Sequence, residues 1–240
     1  MIKIKTAIII AGGKSTRLKP LTNNKPKTMV LVNKKPILYW IIRWLKQYNI
    51  NHLVLAVGFK KEKIAAYMKQ NNNFGLDVNF SEDKIKEGGT AHAFKNAINN
   101  FVVDKNFIGM NSDELTNVDL SRLISKHEKY KPLVTMEIAP FHCRFGVVKL
   151  QDHSKITNFE YGERLWSVPV SMGVYAFNRA VVEIIPRKGS IEDKFFTTLA
   201  KQKSGKIRAD MLKTEETWVS INTQKDIKEA EAFLKSTYTK

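Results

Sequence analysis

Short apolar runs alternate along the chain with longer stretches in which apolar residues recur at helical spacing. Such alternation is the signature of strands joined by crossover helices. Strands are predicted at 7–10, 53–57, 77–80, 107–110, 133–138, 147–150 and 173–177, and helices at 37–47, 61–70, 90–99, 120–129, 191–201 and 225–234. In the helix at 61–70, Ile64, Ala65 and Met68 share one face while Lys61, Glu62, Lys63 and Lys69 stay wet, which reads as core packing. The strand-helix alternation is cleanest over the first 130 residues, and the remainder carries more strand. No Pro/Gly/Ser linker, repeat or low-complexity tract divides the sequence, and Asn71-Asn72-Asn73 reads as a polar loop. The expectation is an α/β chain in one domain over 1–240, with the second part completing the same sheet and covering one side of a cleft.

Composition narrows the class. At 240 residues and 43% hydrophobic the chain has ample material for a large core. The longest apolar run near the start, 7–11, is far shorter than a signal-peptide core or a span of ~20 residues, so a cytoplasmic protein with no membrane partner is expected. Cys143 is the single cysteine, which excludes an intrachain disulfide and a cysteine-based zinc cluster. Forty Lys and Arg against 23 Asp and Glu leave +17, a field that attracts any polyanion. The lysines are dispersed, with nothing beyond pairs such as Lys34-Lys35 and Lys60-Lys61 and no aromatic-interleaved basic block, so no specific nucleic acid is expected.

The first strand runs into Ala11-Gly12-Gly13-Lys14-Ser15-Thr16-Arg17-Leu18. Paired glycines after a buried strand let backbone N–H groups approach a phosphate closely. Gly13-Lys14-Ser15 mimics the end of a Walker A loop, but the glycine required five positions earlier is Ile8, and the G-x-G-x-x-G pattern fails too. On the glycines alone, a phosphate cradle and a purely structural turn stand level.

The longer stretch separates them. Ile10-Ala11-Gly12-Gly13-Lys14-Ser15-Thr16-Arg17-Leu18-Lys19-Pro20-Leu21-Thr22, then Pro26-Lys27-Thr28-Met29, then Lys35-Pro36-Ile37-Leu38, resembles in order and spacing the opening motifs of the sugar-phosphate nucleotidyltransferase family. Further on, Gly88-Gly89-Thr90-Ala91-His92-Ala93 resembles that family's G-T-A-G-A element, and Asn111-Ser112-Asp113 its (N/x)-G-D. In the second half, Phe145-Gly146-Val147-Val148 resembles a sugar-side strand, and Val170-Ser171-Met172-Gly173-Val174-Tyr175 an N-x-G-(I/L)-Y element. The resemblance runs over about residues 3–235 and is strongest in the first half. No hexapeptide-repeat extension follows, so a fused acyltransferase is not expected.

The resemblance implies a Rossmann-like three-layer fold with a predominantly parallel mixed sheet. A nucleotide-binding half of about 1–130 and an acceptor-binding half of about 131–240 would go with it. It implies that Arg17 holds the β and γ phosphates and Lys27 the α phosphate, as the two catalytic cations. Ala11, Gly12, Gly13, Gly89, Thr90 and Asp113 would contact the nucleotide, with Glu82 as a base-contacting candidate. Asp113 would ligate Mg²⁺, which usually takes one or two carboxylates plus phosphate oxygens. Gly146, Glu160, Ser171 and Arg164 would line the acceptor pocket. The partners implied are a nucleoside triphosphate and a phosphorylated small molecule, and the sequence is silent on whether the chain forms a homo-oligomer.

Several positions depart from the pattern. Ser15 replaces a glycine, His92 another glycine, Tyr161 a lysine that neutralises the acceptor phosphate, and Ser220 the aspartate of W-x-D-x-G-T, here Trp218-Val219-Ser220-Ile221-Asn222-Thr223. His92 reads as a satisfied structural histidine. Arg164 could supply the missing positive charge, and Asp226 or Glu192 the missing carboxylate. The reaction expected is Mg²⁺-dependent joining of a nucleoside triphosphate to a sugar 1-phosphate with release of pyrophosphate. Two alternatives stay open: a non-sugar phosphate or phosphonate acceptor such as phosphocholine, and a non-catalytic nucleotide-binding regulatory homologue.

Overall fold

The computed structural model describes residues 4–13, 15–82, 88–143, 145–162 and 164–238; Lys14 of the glycine-rich loop lies outside them. In chain order the strands are β1 (Thr6–Ala11), β2 (Leu31–Val32), β3 (Lys35–Pro36), β4 (His52–Val57), β5 (Asp77–Glu82), β6 (Asn106–Asn111), β7 (Glu114–Thr116), β8 (Val134–His142), β9 (Gly146–Gln151), β10 (Lys155–Tyr161), β11 (Arg164–Asn178), β12 (Ile207–Met211) and β13 (Trp218–Ser220). The helices are α1 (Ile37–Gln47), α2 (Lys61–Gln70), α3 (Gly89–Phe101), α4 (Leu120–Tyr130), α5 (Val181–Ile184), α6 (Thr197–Lys201) and α7 (Gln224–Tyr238).

Seven strands form one sheet in the order β12-β8-β11-β6-β1-β4-β5. Neighbours run parallel except β11, which is antiparallel to both β8 and β6. The alternation of side chains along a strand splits the core into two layers. On β1, Ala7, Ile9 and Ala11 pack with α1, α2, α4 and α7, through residues such as Ile41, Ile64, Leu123 and Phe233. Ile8 points the other way, into the layer built by Phe94 and Ile98 of α3, Val181 of α5 and Leu199 of α6. The result is the Rossmann-like three-layer α/β arrangement with a mostly parallel mixed sheet.

This topology places the site. β1 pairs with β4 on one side and β6 on the other. The α1 crossover covers one face and the α3 crossover the opposite one. Such a reversal opens a crevice at the carboxyl ends of the strands. The glycine-rich loop after β1 and the Asn111-Ser112-Asp113 segment after β6 both emerge there.

α1 and α2 span the residues expected of them. The stretch expected as one helix at 191–201 is instead a wide π-type turn over Ile191–Phe196 that tightens into α6. Its first turn is capped by Ser190, whose hydroxyl oxygen accepts from the Asp193 N–H at 3.1 Å. β11 is longer than the expected 173–177 because its first half runs beyond the sheet beside the end of β8. No helix among the described residues is long and apolar enough to cross a membrane.

Candidate active site

The glycine-rich loop is shaped by backbone proximity. Gly12 lies against Gly58 at the end of β4, where a Cβ on Gly58 would come within 3.0 Å of the Gly12 carbonyl oxygen. A Cβ on Gly13 would meet no protein atom within 4 Å, so its open side is the cleft. Ser15 keeps a left-handed backbone (φ 48, ψ 63) although it is not glycine. Its carbonyl accepts from the buried Thr22 hydroxyl at 2.9 Å and from the Leu18 N–H at 3.2 Å, and buried Leu18 anchors the turn. Arg17, on the same turn, is exposed and lines the cleft.

Lys27 is delivered by a second tight turn, in which Met29 N–H donates to the Pro26 carbonyl and Val30 N–H to the Lys27 carbonyl, each at 2.9 Å. Its ammonium is buried and donates to two acceptors, the Asp113 carboxylate and Asn222 Oδ1, the latter at 3.1 Å. The lysine and the aspartate are each other's counterion, which keeps a poorly solvated charge from standing uncompensated. The Asp113 carbonyl accepts from the Ile221 N–H at 2.9 Å, so the end of β13 is stitched to the end of β6. Next to Asp113, burial and then the Asp113 charge push the Glu114 carboxyl well above the ordinary carboxylate range, favouring its neutral form. Its oxygens accept from Trp218 Nε1 at 2.7 Å and from the Ser220 hydroxyl at 3.1 Å.

The start of α3 forms the facing wall. Gly89 has φ +73, and a Cβ there would lie 2.4 Å from the Gly189 carbonyl oxygen. Glycine is required at that crossing. The Gly189 N–H donates to the Gly88 carbonyl at 2.8 Å, and the Ile191 N–H to Thr90 Oγ1 at 2.8 Å. Glu192 reaches the same cleft and accepts from the Ser190 hydroxyl at 2.7 Å and the Thr90 hydroxyl at 3.2 Å. His92 turns away, with Nδ1 3.1 Å from the Arg187 carbonyl, the structural role expected of it.

These walls enclose a cleft of about 710 Å³ that brings together Ala11, Gly12, Gly13, Arg17, Lys27, Gly89, Thr90 and Asp113. Glu82 is outside its lining; β5 ends there with the side chain exposed and paired to Lys61 at 2.5 Å. Of the two carboxylates suggested as partners for Asp113, Glu192 lines the cleft. Asp226 is buried and caps α7, accepting the Asn222 and Thr223 N–H groups at 2.8 Å each. Among the described residues no three His, Cys, Asp or Glu side chains cluster as a metal cage. The donors at hand, one or two carboxylates beside room for phosphate oxygens, fit Mg²⁺ as it is usually held.

A second cavity of about 440 Å³ lies between β8, the first half of β11 and β13. Arg164, Ser171 and His142 supply its polar groups on the β8/β11 side, and Trp218 and Ser220 close it on the β13 side. Gly146 and Glu160 are on the β9/β10 hairpin, outside the lining of either cavity. Gly146 sits under the Phe159 ring, where a Cβ would be 2.3 Å from Cζ. Glu160 accepts from Asn158 Nδ2. Tyr161, opposite Gly146, is 78% exposed and lies outside the lining of either cavity. The two cavities share a wall, because Asn222 bridges Lys27 in the first and Ser220 in the second, its Nδ2 donating to the Ser220 hydroxyl at 2.9 Å. Asn222 and Gly58 were not singled out by the sequence; the signal for Gly58 was a glycine closing a buried strand, as Gly12 does.

Comparison with known proteins agrees with this geometry. A family model described as nucleotidyl transferase matches residues 6–237. The D-glycero-alpha-D-manno-heptose 1-phosphate guanylyltransferase of Aneurinibacillus thermoaerophilus is 31% identical over 193 residues, 79% of this chain and 82% of that protein. The UTP–glucose-1-phosphate uridylyltransferase of Synechocystis is 28% identical over 196 residues, 75% of this chain but 50% of that longer protein. In fold, the chain is similar to the crystal structure of HddC from Yersinia pseudotuberculosis, with a TM-score of 0.76 at 23% identity, covering 96% of this chain and 100% of that one.

Proposed function

The chain belongs to the nucleotidyl transferase family, and from that premise we propose that it transfers a nucleotidyl group from a nucleoside triphosphate to a sugar 1-phosphate and releases pyrophosphate. The observation that carries this reading is the shared wall. A cleft with a backbone cradle and two cations, Arg17 and Lys27, abuts a second cavity with its own cation, Arg164. Lys27 stands on the side from which the second cavity is reached, through Asn222 and Ser220.

The triphosphate lies over Ala11, Gly12 and Gly13, with the start of α3 facing it. Lys27 neutralises the α phosphate, and the forked guanidinium of Arg17 takes the β and γ oxygens. The acceptor enters the second cavity with its phosphate toward Arg164. One of its oxygens, already ionised near neutral pH, attacks the α phosphorus in line. The new bond joins that oxygen to the α phosphorus, the bond from the α phosphorus to the bridging oxygen breaks, and pyrophosphate carries away the electron pair. No protein nucleophile is needed, because positioning and charge compensation carry most of such a transfer. Asp113, with Glu192 across the cleft, would hold Mg²⁺. When bound, the ion would add positive charge at the phosphate oxygens.

The test is pyrophosphate release in the presence of Mg²⁺, with each common nucleoside triphosphate set against a panel of sugar 1-phosphates, phosphocholine and small phosphonates. Release with one triphosphate and one sugar 1-phosphate is the expected result. Release confined to phosphocholine or a phosphonate would reject the sugar acceptor, and silence across the panel would reject the transfer itself.

A further inference from the structure

Asn222 stands just beyond β13, at the approach to α7, and its polar atoms are committed in one direction. The Asp226 carboxylate accepts its backbone N–H at 2.8 Å and fixes the main chain there. Its side-chain oxygen accepts from the Lys27 ammonium at 3.1 Å, and its Nδ2 donates to the Ser220 hydroxyl at 2.9 Å. An ammonium can only donate, so the amide must present oxygen to Lys27 and nitrogen to Ser220. Having accepted that bond, Ser220 gives its own proton to Glu114 Oε1 at 3.1 Å, while Glu114 Oε2 takes the Trp218 N–H at 2.7 Å. This chain of hydrogen bonds starts at the wall of the second cavity and ends on the lysine.

Lysine has a flexible four-carbon stem, so its charge is only as well aimed as its partners make it. The two partners here differ in kind. Asp113 compensates the ammonium's charge, whereas the neutral amide of Asn222 orients it and leaves that charge available to a phosphate. Resting on the reading of Lys27 as the cation for the α phosphate, we propose that Asn222 is a positioning residue: its carboxamide holds the Lys27 ammonium in line with the α phosphorus and ties that aim to the acceptor side through Ser220. It touches neither substrate. Its contribution is realised when the triphosphate draws the ammonium away from Asp113, because the amide then keeps the stem from swinging.

The experiment compares Asn222→Ala, Asn222→Ser and Asn222→Asp with the unaltered chain. Folding is checked by urea unfolding, and turnover is measured with whichever substrate pair releases pyrophosphate. Asn222→Ala and Asn222→Ser are expected to lower kcat roughly 10- to 100-fold, the cost of a misaimed group, with KM for the triphosphate changed less than about threefold. Asn222→Asp keeps an oxygen for the lysine but compensates its charge, so KM should rise about tenfold or more while kcat stays within about threefold. A merely structural residue would not split the two parameters in opposite ways. Equal effects of the Ala and Asp variants, or full kcat in Asn222→Ala, would overturn the proposal. A second readout needs no turnover: the ¹H–¹⁵N signal of the Lys27 ammonium should be protected from exchange in the unaltered chain and in Asn222→Asp, and lost in Asn222→Ala. If no substrate pair turns over, the transfer reading fails on its own account, and an ammonium signal unchanged in Asn222→Ala would still overturn the positioning role.

Discussion

Lys27 and Arg17 carry the same formal charge but stand differently. Lys27 is 8% exposed with two partners fixed by the fold, whereas Arg17 sits on an exposed turn. The buried cation is the one whose removal should act on the chemical step. Lys27→Ala is expected to lower kcat by about 10²–10³, the typical cost of one lost transition-state donor. Lys27→Arg should rescue little, since a planar fork does not fit a slot built around a compact ammonium. Steady-state kinetics on the two variants checks both statements, and full activity in Lys27→Ala would remove the residue from the chemistry. Ser15 makes the opposite kind of prediction. A left-handed backbone costs a side-chain-bearing residue about 1–2 kcal/mol, partly offset in the unfolded chain when glycine replaces it. Ser15→Gly should therefore stabilise the protein by about 0.5–1 kcal/mol in urea unfolding.

At the scale of elements, α4, β8 and β12 are joined by a cluster of charges away from the cleft. Arg122 Nε meets Asp210 at 2.6 Å and its Nη1 meets Glu216 at 2.6 Å, Lys126 meets Asp210 at 2.8 Å, and Arg122 Nη2 stands 3.6 Å from the fully buried Glu137. Removing Arg122 strands these carboxylates, so Arg122→Met should cost about 3–5 kcal/mol. Burial, then the neighbouring Asp210 charge, pushes Glu137 up to about 9 from an ordinary 4.5. The folded protein therefore holds this proton more tightly than the unfolded chain. The associated stability is fully present below about pH 4.5 and is lost as pH rises toward 9. Burial works against ionisation of Asp210 and Glu216 as well, but Lys126 and Arg122 hold the first, and Arg122 with two backbone N–H groups the second, below their ordinary values. Their contribution fades in acid instead. Glu137→Gln should flatten the decline between pH 6 and 9 in urea unfolding while leaving the acid limb in place; an unchanged alkaline slope would contradict the assignment.

The same elements mark what could be read in advance. α1 and α2 were legible to the residue because a single apolar stripe decides where each helix begins and ends. β12 was not, because it is a short edge strand whose Ile-Arg-Ala-Asp-Met run is broken by Arg208 and by Asp210 of this cluster. β7 and β13 have three residues each, and each exists because the other, a hundred positions away, pairs with it. β10 hides its alternation behind the bulge between Ile156 and Asn158.

At the scale of the molecule, β11 comes from the second half of the chain yet lies between β8 and β6, so both halves build one sheet. The lining of the first cleft was legible because residues 11–27 bring the loop, Arg17 and Lys27 within a few turns of chain. The link to the second cavity was not, because Glu114, Trp218, Ser220 and Asn222 meet only after β7 pairs with β13. The charge of +17 belongs to this scale too. It should speed capture of a triphosphate without altering the chemical step, so kcat/KM should fall severalfold between about 50 and 500 mM salt with kcat nearly constant. In the proposed transfer an acceptor phosphate oxygen reaches the α phosphorus across the wall shared by the two cavities. Its most direct test uses a sugar 1-phosphate with ¹⁸O in its phosphate, and follows the label by mass spectrometry and ³¹P NMR. All of the label is expected in the nucleotide sugar and none in pyrophosphate. Label in pyrophosphate, or no nucleotide sugar with any pair, would contradict it.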